Sequence, residues 1–180
     1  MRILAISGSL RASSFNTAVL QAAIALAPVG TRIHLYADLG ALPHFNADLD
    51  GAAPPGIVGA LRREVGLSDG LLIATPEYAH GVSGVMKNAL DWLVSCVEFP
   101  GKPVALINTS QRAVHAQAHL REILDTMSAR VTDGASITLP LMGRNLDAAG
   151  IVADPALSAQ LQEALACFAA EIRPRRAISN

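Results

Sequence analysis

A polar loop near the N-terminus contains side chains that could bind an anion. The loop, GSLRASSFNT, covers residues 8–17 and follows the apolar run 3–6. Its N–H groups and hydroxyls lie where a helix is predicted to begin, and the positive end of a helix dipole favours a phosphate. The candidate ligands are Ser9, Arg11, Ser14 and Asn16. Serine and asparagine here would also serve as ordinary helix caps, so the loop alone leaves both interpretations open.

The loop differs from two common phosphate-binding patterns. It lacks the lysine and the second glycine of the Walker pattern GxxxxGK[ST]. It also lacks the glycines of the dinucleotide pattern GxGxxG, which let the backbone approach a pyrophosphate. The loop is therefore better suited to the terminal phosphate of a mononucleotide than to a triphosphate or a dinucleotide.

A second loop could contact a flat heterocycle. The segment PEYAHGVSGVMKNALDW covers residues 76–92 and follows the apolar run 70–75. Pro76 would end that strand, and the glycines before the next helix allow the chain to turn. Backbone amides of residues 76–79 could face the edge of a ring, with Tyr78 lying against it. Lysine and aspartate four residues apart in the following helix are predicted to pair on its surface, and the tryptophan to pack in a core or an interface.

A third loop leads into a segment with histidines at helical spacing. The segment NTSQRAVHAQAHLRE covers residues 108–122, with His115 and His119 on one helical face together with a glutamate. That spacing could bind a metal, but no HExxH pattern supplies further ligands, so no metal site is predicted. His34 and His44 have no neighbouring partner in the sequence and are predicted to be ordinary surface residues.

The elements that position these loops alternate along the chain. Strands are predicted over residues 2–7, 32–37, 70–75, 103–109 and 135–141. Helices are predicted over residues 15–27, 56–67, 84–95, 113–128 and 155–172. Strand–helix alternation predicts a doubly wound α/β fold with three layers, α/β/α. The middle layer would be a five-stranded parallel sheet in the flavodoxin-like order 2-1-3-4-5. Ligands of such sheets bind at the carboxyl ends of the strands, where the three loops lie.

Composition limits the function further. The 180 residues suit one domain, 1–180, and the net charge of −1 without a basic run predicts no nucleic-acid partner. No apolar run reaches the roughly 20 residues of a membrane span, so no membrane association is predicted. Two distant cysteines without a CxxC pattern predict reduced thiols and a cytoplasmic location. The proline-rich segment 38–56 is predicted to be a surface loop beside the site.

Two of these motifs together resemble a known family. The patterns GSLRxxSxN and TPEYxxGxxGxxKNxxDW are similar to those of the NADPH-dependent FMN reductase family, which is flavodoxin-like and includes chromate and quinone reductases. The resemblance covers most of the chain to about residue 140. It implies FMN as cofactor, with its phosphate at Ser9, Arg11, Ser14 and Asn16. One position departs from the pattern, because Ala79 stands where the family commonly has asparagine, so only its backbone N–H remains for the flavin.

The resemblance also implies the remaining site residues. Pro76, Glu77, Tyr78 and Ala79 would line the flavin ring, and Ser110 keeps a position that touches it. The open face of the ring would be bordered by Tyr78, His80, Arg112 and His115, with Arg112 and His115 as substrate-binding residues. Arg11 or Arg112 would meet the 2′-phosphate of NADPH.

The implied activity is that of an FMN-dependent NAD(P)H oxidoreductase. A hydride would pass from NAD(P)H to the flavin and on to a small acceptor such as a quinone, a flavin, an azo dye or chromate. No side chain is assigned a catalytic role, because the flavin supplies the chemistry. The chain would form a homodimer or homotetramer, with helices 84–95 and 113–128 near the interface, the first of which has a broad apolar face.

Two other functions remain open. A flavodoxin-type electron carrier would bind FMN without nicotinamide turnover, although the near-neutral charge argues against it, since such carriers are usually strongly acidic. A protein that has kept the fold and lost its activity would also fit, since fold alone does not establish function.

Overall fold

A parallel β-sheet forms the middle layer of the protein in a computed structural model that describes residues 1–51 and 53–172. The strands are β1 (Arg2–Ser7), β2 (Arg32–Leu35), β3 (Gly70–Ala74), β4 (Glu77–Tyr78), β5 (Gly81–Val82), β6 (Pro103–Asn108), β7 (Arg130–Val131) and β8 (Ile137–Thr138). The sheet order is β2-β1-β3-β6-β7, with β8 also pairing with β6, and every pair in it is parallel. Strands β4 and β5 form a separate antiparallel hairpin. The predicted flavodoxin-like fold class is confirmed.

The edge strand beyond β6 is divided into two short pieces. The sequence predicts one strand over 135–141, but a 3₁₀ turn at Asp133–Ala135 separates β7 from β8. Backbone pairing continues past β8, since Leu139 donates to the Asn108 carbonyl at 2.8 Å and Leu141 to the Thr109 carbonyl at 3.1 Å. Residues 108 and 109, at the end of β6, are therefore hydrogen-bonded to residues 139 and 141 at the carboxyl edge of the sheet.

Helices cover both faces of the sheet. They are α1 (Phe15–Ala25), α2 (Gly56–Leu67), α3 (Gly84–Leu93), α4 (Val114–Thr126), α5 (Ala148–Ala153) and α6 (Pro155–Ile172). The short α5 was not predicted; its start is capped by Asp147, whose carboxylate accepts a bond from the Gly150 N–H at 2.8 Å. None of the helices in the described part of the chain combines the length and apolar character required to cross a bilayer.

The alternation of side chains along each strand produces two cores. Ile3 and Ala5 of β1 pack in a cluster with side chains of α1, α5 and α6. Leu4 and Ile6 pack in a second cluster with side chains of α2, α3 and α4. Successive side chains of a strand point to opposite faces of the sheet, and helices cover both faces. The strands are therefore mostly apolar along their whole length. The predicted single domain extends to residue 180, and its part beyond residue 172 lies outside the described residues.

The apolar face of α3 is used within the monomer. Met86, Leu90 and Leu93 are almost fully buried in the second core cluster. These three side chains therefore do not face a neighbouring subunit, and the predicted position of α3 near a subunit interface stays a prediction. Trp92 is also fully buried, which confirms its predicted core position.

The segment 38–56 is only partly a surface loop. Leu39 and Leu42 are buried in the core, contrary to the prediction, because the segment crosses the face of α3. The Pro43 carbonyl accepts hydrogen bonds from the Trp92 indole at 2.8 Å and from the Asn88 side chain at 3.0 Å. These bonds fix the segment against α3. Residue 52 lies outside the described residues.

An ionic cluster joins the starts of β1 and β2 to α2. The Glu64 carboxylate lies 2.5 Å from the Arg2 guanidinium and 2.7 Å from Nε2 of His34. The prediction that His34 is an ordinary surface residue is therefore wrong, because a partner distant in sequence is brought beside it. Burial acts to raise the pKa of Glu64, but the bonds from His34 and Arg2 outweigh it, so this pKa is lowered.

Candidate functional site

The loops after β1 and β3 interlock at the carboxyl edge of the sheet. The Gly8 N–H donates to the Ala74 carbonyl at 2.8 Å, and the Ser83 hydroxyl donates to the Gly8 carbonyl at 2.7 Å. The Ser83 and Thr75 hydroxyls are 3.0 Å apart. A Cβ atom at Gly8 would lie 2.2 Å from the Thr75 hydroxyl oxygen, which is closer than any real contact. Glycine is therefore required at position 8 by close packing between the two loops.

A cavity of about 510 Å³ opens where the three polar loops meet. Its volume falls within the range of roughly 300–1,000 Å³ typical of small-molecule sites. The lining residues are Ser9, Arg11, Ser13, Ser14, Phe15, Asn16, Thr75, Pro76, Glu77, Tyr78, His80, Asn108, Thr109, Ser110, Arg112, Ala113 and Met142. They come from all three strand ends singled out in the sequence and from the segment after β8.

Most of the predicted site residues lie on this cavity. The predicted residues on its wall are Ser9, Arg11, Ser14, Asn16, Pro76, Glu77, Tyr78, Ser110 and Arg112. Ala79 and His115 are not on the wall. His115 lies instead behind His80, with the two imidazole rings stacked at 4.2 Å and an angle of 20° between their planes.

Met142 is a lining residue that the sequence analysis missed. It is 57 % exposed and follows the segment that pairs with the end of β6. The only signal for it was the predicted strand over 135–141, whose end must lie at the same edge of the sheet as the other loops. Asn108 and Thr109, at the end of β6, line the cavity for the same reason.

The first loop provides both a helix cap and free donors. The Ser14 hydroxyl accepts a bond from the Thr17 N–H at 3.2 Å, so the capping interpretation is confirmed for Ser14. Asn16 is buried, and its side-chain oxygen accepts a bond from the Thr109 hydroxyl at 3.2 Å. Its NH₂ group has no protein partner among the described residues. Since the first N–H groups of a helix have no partner within it, the start of α1 offers several donors at the cavity.

The cavity wall is positively charged. Arg11 and Arg112 form no ion pair with any described residue. Glu77 is the only carboxylate among the described lining residues, and its Oε2 atom accepts a bond from the Ala116 N–H at 2.8 Å. The Glu77 charge is therefore directed to the first turn of α4, and the arginines face the cavity without a counter-ion. An anionic ligand would be favoured here.

The β4–β5 hairpin presents Tyr78 and His80 to the cavity. Its turn residues, Ala79 and His80, have φ angles of 48° and 56°, in the left-handed region. Tyr78 is 55 % exposed and lines the cavity. Helix α3, which follows the hairpin, contains the predicted surface pair, with Lys87 Nζ 2.6 Å from Asp91 Oδ1. Among the described residues, no group of three or more His, Cys, Asp or Glu side chains could hold a metal ion.

Comparisons with known proteins agree on one family. The sequence model of the NADPH-dependent FMN reductases matches residues 1–141. An NAD(P)H-dependent FMN reductase of Pseudomonas aeruginosa is 35 % identical, with 98 % of this chain and 97 % of that protein covered. An NADPH:quinone oxidoreductase of Arabidopsis thaliana is 35 % identical, covering 92 % and 88 %. The structure of FerB, a flavoenzyme NAD(P)H:(acceptor) oxidoreductase from Paracoccus denitrificans, superposes with a TM-score of 0.84 at 31 % identity, covering 96 % and 97 %.

Proposed function

The chain belongs to the NADPH-dependent FMN reductase family, and from that membership we propose that the cavity at the carboxyl edge of the sheet is its FMN site. The protein is an NAD(P)H-dependent flavin oxidoreductase that transfers electrons through FMN to an acceptor. Bound FMN supplies the redox chemistry, accepting a hydride from NAD(P)H and releasing the electrons to the acceptor. The work of the polypeptide is to bind and orient the flavin and its substrates.

The donor set at the start of α1 carries this proposal. The loop combines two serine hydroxyls, the Asn16 amide and unpartnered N–H groups with the charge of Arg11, all on one wall of the cavity. These groups fit a dianionic phosphate, because hydrogen bonds to a charged acceptor are stronger than neutral ones. No carboxylate is among the described lining residues of this first loop, which also fits a phosphate, and Glu77 on the second loop bonds to α4.

The second and third loops would hold the flavin ring. The N–H groups of residues 77–79 and the hydroxyl of Ser110 are the candidate donors to its polar edge, and Tyr78 would lie beside it. Ser110 is held by its own loop, since its hydroxyl accepts a bond from the Arg112 N–H at 3.2 Å. Ala79 has only a methyl side chain and is not on the cavity wall, so its one candidate contribution is its backbone N–H.

Arg112 would bind the nicotinamide substrate. Arg112 lies on the cavity wall, and its guanidinium has no ion-pair partner in the described part of the chain. It could pair with the 2′-phosphate of NADPH, which would favour NADPH over NADH. Arg11 is the other candidate for this phosphate. We propose quinones as the acceptor class, in keeping with the quinone reductases among the relatives.

We also propose a cytoplasmic, single-domain protein that forms a homodimer or homotetramer. Both cysteines are free thiols, as expected in a reducing compartment. Near the end of α3, Val94 and Val97 are 65 % and 85 % exposed and form a candidate contact surface. A second subunit would cover this surface. Light scattering should give at least the dimer mass; a monomer mass at all concentrations would contradict the assembly.

Steady-state oxidation of NADPH by FMN-loaded protein tests the activity. We expect turnover with 1,4-benzoquinone that requires both FMN and the protein. FMN binding without NAD(P)H turnover with any quinone, ferricyanide or free flavin would instead favour the electron carrier. A protein that does not bind FMN would fit the alternative in which the fold remains and the activity is lost.

A further inference from the structure

The turn of the β4–β5 hairpin has a conformation that its residues do not favour. Both central residues, Ala79 and His80, have positive φ angles, a geometry for which two-residue hairpins normally use asparagine and glycine. For alanine this region is costly, because the Cβ atom approaches the carbonyl oxygen, whereas histidine adopts it more readily than most residues. Strain of this kind persists only where surrounding contacts enforce it. The turn therefore needs a support outside the hairpin.

Helix α4 provides that support at two points in its first turn. The His115 ring stacks on the His80 ring at 4.2 Å, nearly parallel to it. One residue later, the Ala116 N–H donates to the Glu77 carboxylate at 2.8 Å. The α4 helix has no side-chain cap of its own, since its N-cap residue is Ala113. Glu77 thus supplies the acceptor that the helix start lacks, and its negative charge lies at the positive end of the helix dipole.

We propose that the first turn of α4 clamps the β4–β5 hairpin, and that His115 is a positioning residue that acts on bound flavin through His80. The inference rests on the proposed FMN site, because the hairpin contributes Tyr78 and His80 to the cavity wall. Release of the turn would move these side chains and the N–H groups of the hairpin away from the ring. His115 therefore influences the site without lying on it.

The same geometry assigns a role to Glu77. One of its carboxylate oxygens bonds to α4, so its main contribution is to orient the hairpin that carries the ring contacts. A glutamine can accept the same hydrogen bond, whereas an alanine cannot. Comparing Glu77→Gln with Glu77→Ala therefore separates the effect of the hydrogen bond to α4 from the effect of the negative charge.

FMN titration of His115 variants tests the clamp, with visible circular dichroism of the bound flavin as the second measurement. An aromatic stack contributes an amount equivalent to about a 3- to 10-fold change in affinity. We expect His115→Ala to bind FMN more weakly within that range and to change the flavin dichroism and KM for NADPH more than kcat. His115→Phe keeps a flat ring and should restore wild-type values.

Two matched controls accompany these variants. His119→Ala removes a histidine one turn later on α4, outside the cavity, and should leave FMN affinity unchanged. Asp147→Ala removes a carboxylate cap from α5, the same kind of bond that Glu77→Ala removes from α4. We expect Glu77→Ala to change the flavin dichroism more than Glu77→Gln does, and Asp147→Ala to leave it unchanged. Thermal unfolding of each variant without FMN confirms that it is folded.

The outcomes separate the clamp from the FMN site itself. Wild-type affinity and dichroism in His115→Ala would overturn the clamp while leaving the FMN site intact. Equal losses in His115→Ala, His115→Phe and His119→Ala would also overturn it, because they would reflect weakening of the helix and not loss of the stack. If the wild-type protein does not bind FMN, the proposed site fails first and the clamp with it.

Discussion

At the scale of single residues, the charge of Arg112 is the feature most directly linked to substrate choice. The side chain is exposed at the cavity mouth and has no ion-pair partner among the described residues. If it meets the 2′-phosphate of NADPH, its removal changes the binding of one nicotinamide substrate and spares the other. The contact would be charge-assisted, and Arg is well shaped for phosphate.

We therefore expect Arg112→Ala to raise KM for NADPH by about 10-fold, equivalent to ~1.4 kcal/mol, and KM for NADH much less. Steady-state kinetics with both substrates measure the difference. Arg121→Ala is a suitable control, because Arg121 pairs with Asp133 at 2.6 Å and lies outside the cavity. Equal increases in KM for NADPH and NADH would show that Arg112 does not bind the 2′-phosphate of NADPH.

Residue identities on the cavity wall were predictable where a motif specified them. Ser9, Asn16 and Tyr78 belong to patterns with a fixed spacing, and all three lie on the wall. The position of His115 was not predictable, since helical spacing shows which residues share a face of α4 but not which element that face meets. The sequence contains no signal for its stack on His80, which depends on how the hairpin packs against the helix.

At the scale of elements, close packing of the loops after β1 and β3 controls the shape of the site. Gly8 has no space for a side chain beside Thr75 and Ser83. We expect Gly8→Ala to destabilise the fold by about 1–3 kcal/mol through overpacking and to weaken FMN binding, because the first loop must shift. Urea unfolding and FMN titration measure the two effects.

A second glycine provides the matched control for this substitution. A Cβ atom at Gly59, inside α2, meets nothing within 4 Å. Gly59→Ala should therefore stabilise the helix by roughly 0.5–1 kcal/mol, since alanine is the better helix former. Similar effects at the two positions would contradict the packing argument for Gly8.

The long strands and helices were predictable from apolar periodicity, and the short elements were not. β1, β3 and β6 are continuous apolar runs buried on both faces, so their sequence and environment agree. β8 lies within the strand predicted over 135–141, but β7 and the hairpin strands have two residues each, too few for any periodic pattern to show. They form because a neighbouring backbone is within reach, which is a property of the folded chain.

At the scale of the whole molecule, three carboxylates have pKa values that are lowered by the hydrogen bonds they accept in the folded chain. The bonds from Arg62 and Ser95 lower the pKa of Asp50, and the bonds from the Leu157 N–H and Arg144 lower the pKa of Asp154. For Glu64, burial acts to raise the pKa, but the bonds from His34 and Arg2 leave it below its ordinary value. All three groups hold a proton less readily in the folded state than in the unfolded chain.

This difference predicts the direction of acid unfolding. The three carboxylates contribute stability that is present above their unfolded pKa values, near about 4, and that is lost as the pH falls through their lower folded values. Urea unfolding should therefore give a lower free energy of unfolding at pH 3 than at pH 6. In Asp50→Asn the loss on acidification should be smaller, with lower stability at pH 6. A free energy that rises on acidification would contradict the assignment.

The central claim is that the loop at the start of α1 holds the phosphate of FMN, and it is tested most directly by comparing FMN with riboflavin, which lacks the phosphate. In the double variant Ser9→Ala/Asn16→Ala, we expect FMN affinity to fall by about 1–3 kcal/mol, or roughly 5- to 150-fold. Riboflavin affinity should fall much less, because it lacks the phosphate, and the loss of the bond between Asn16 and Thr109 affects both ligands alike. Fluorescence titration measures both constants in the same protein. Unchanged FMN affinity, or an equal loss for FMN and riboflavin, would contradict the account and leave these residues with a structural role alone.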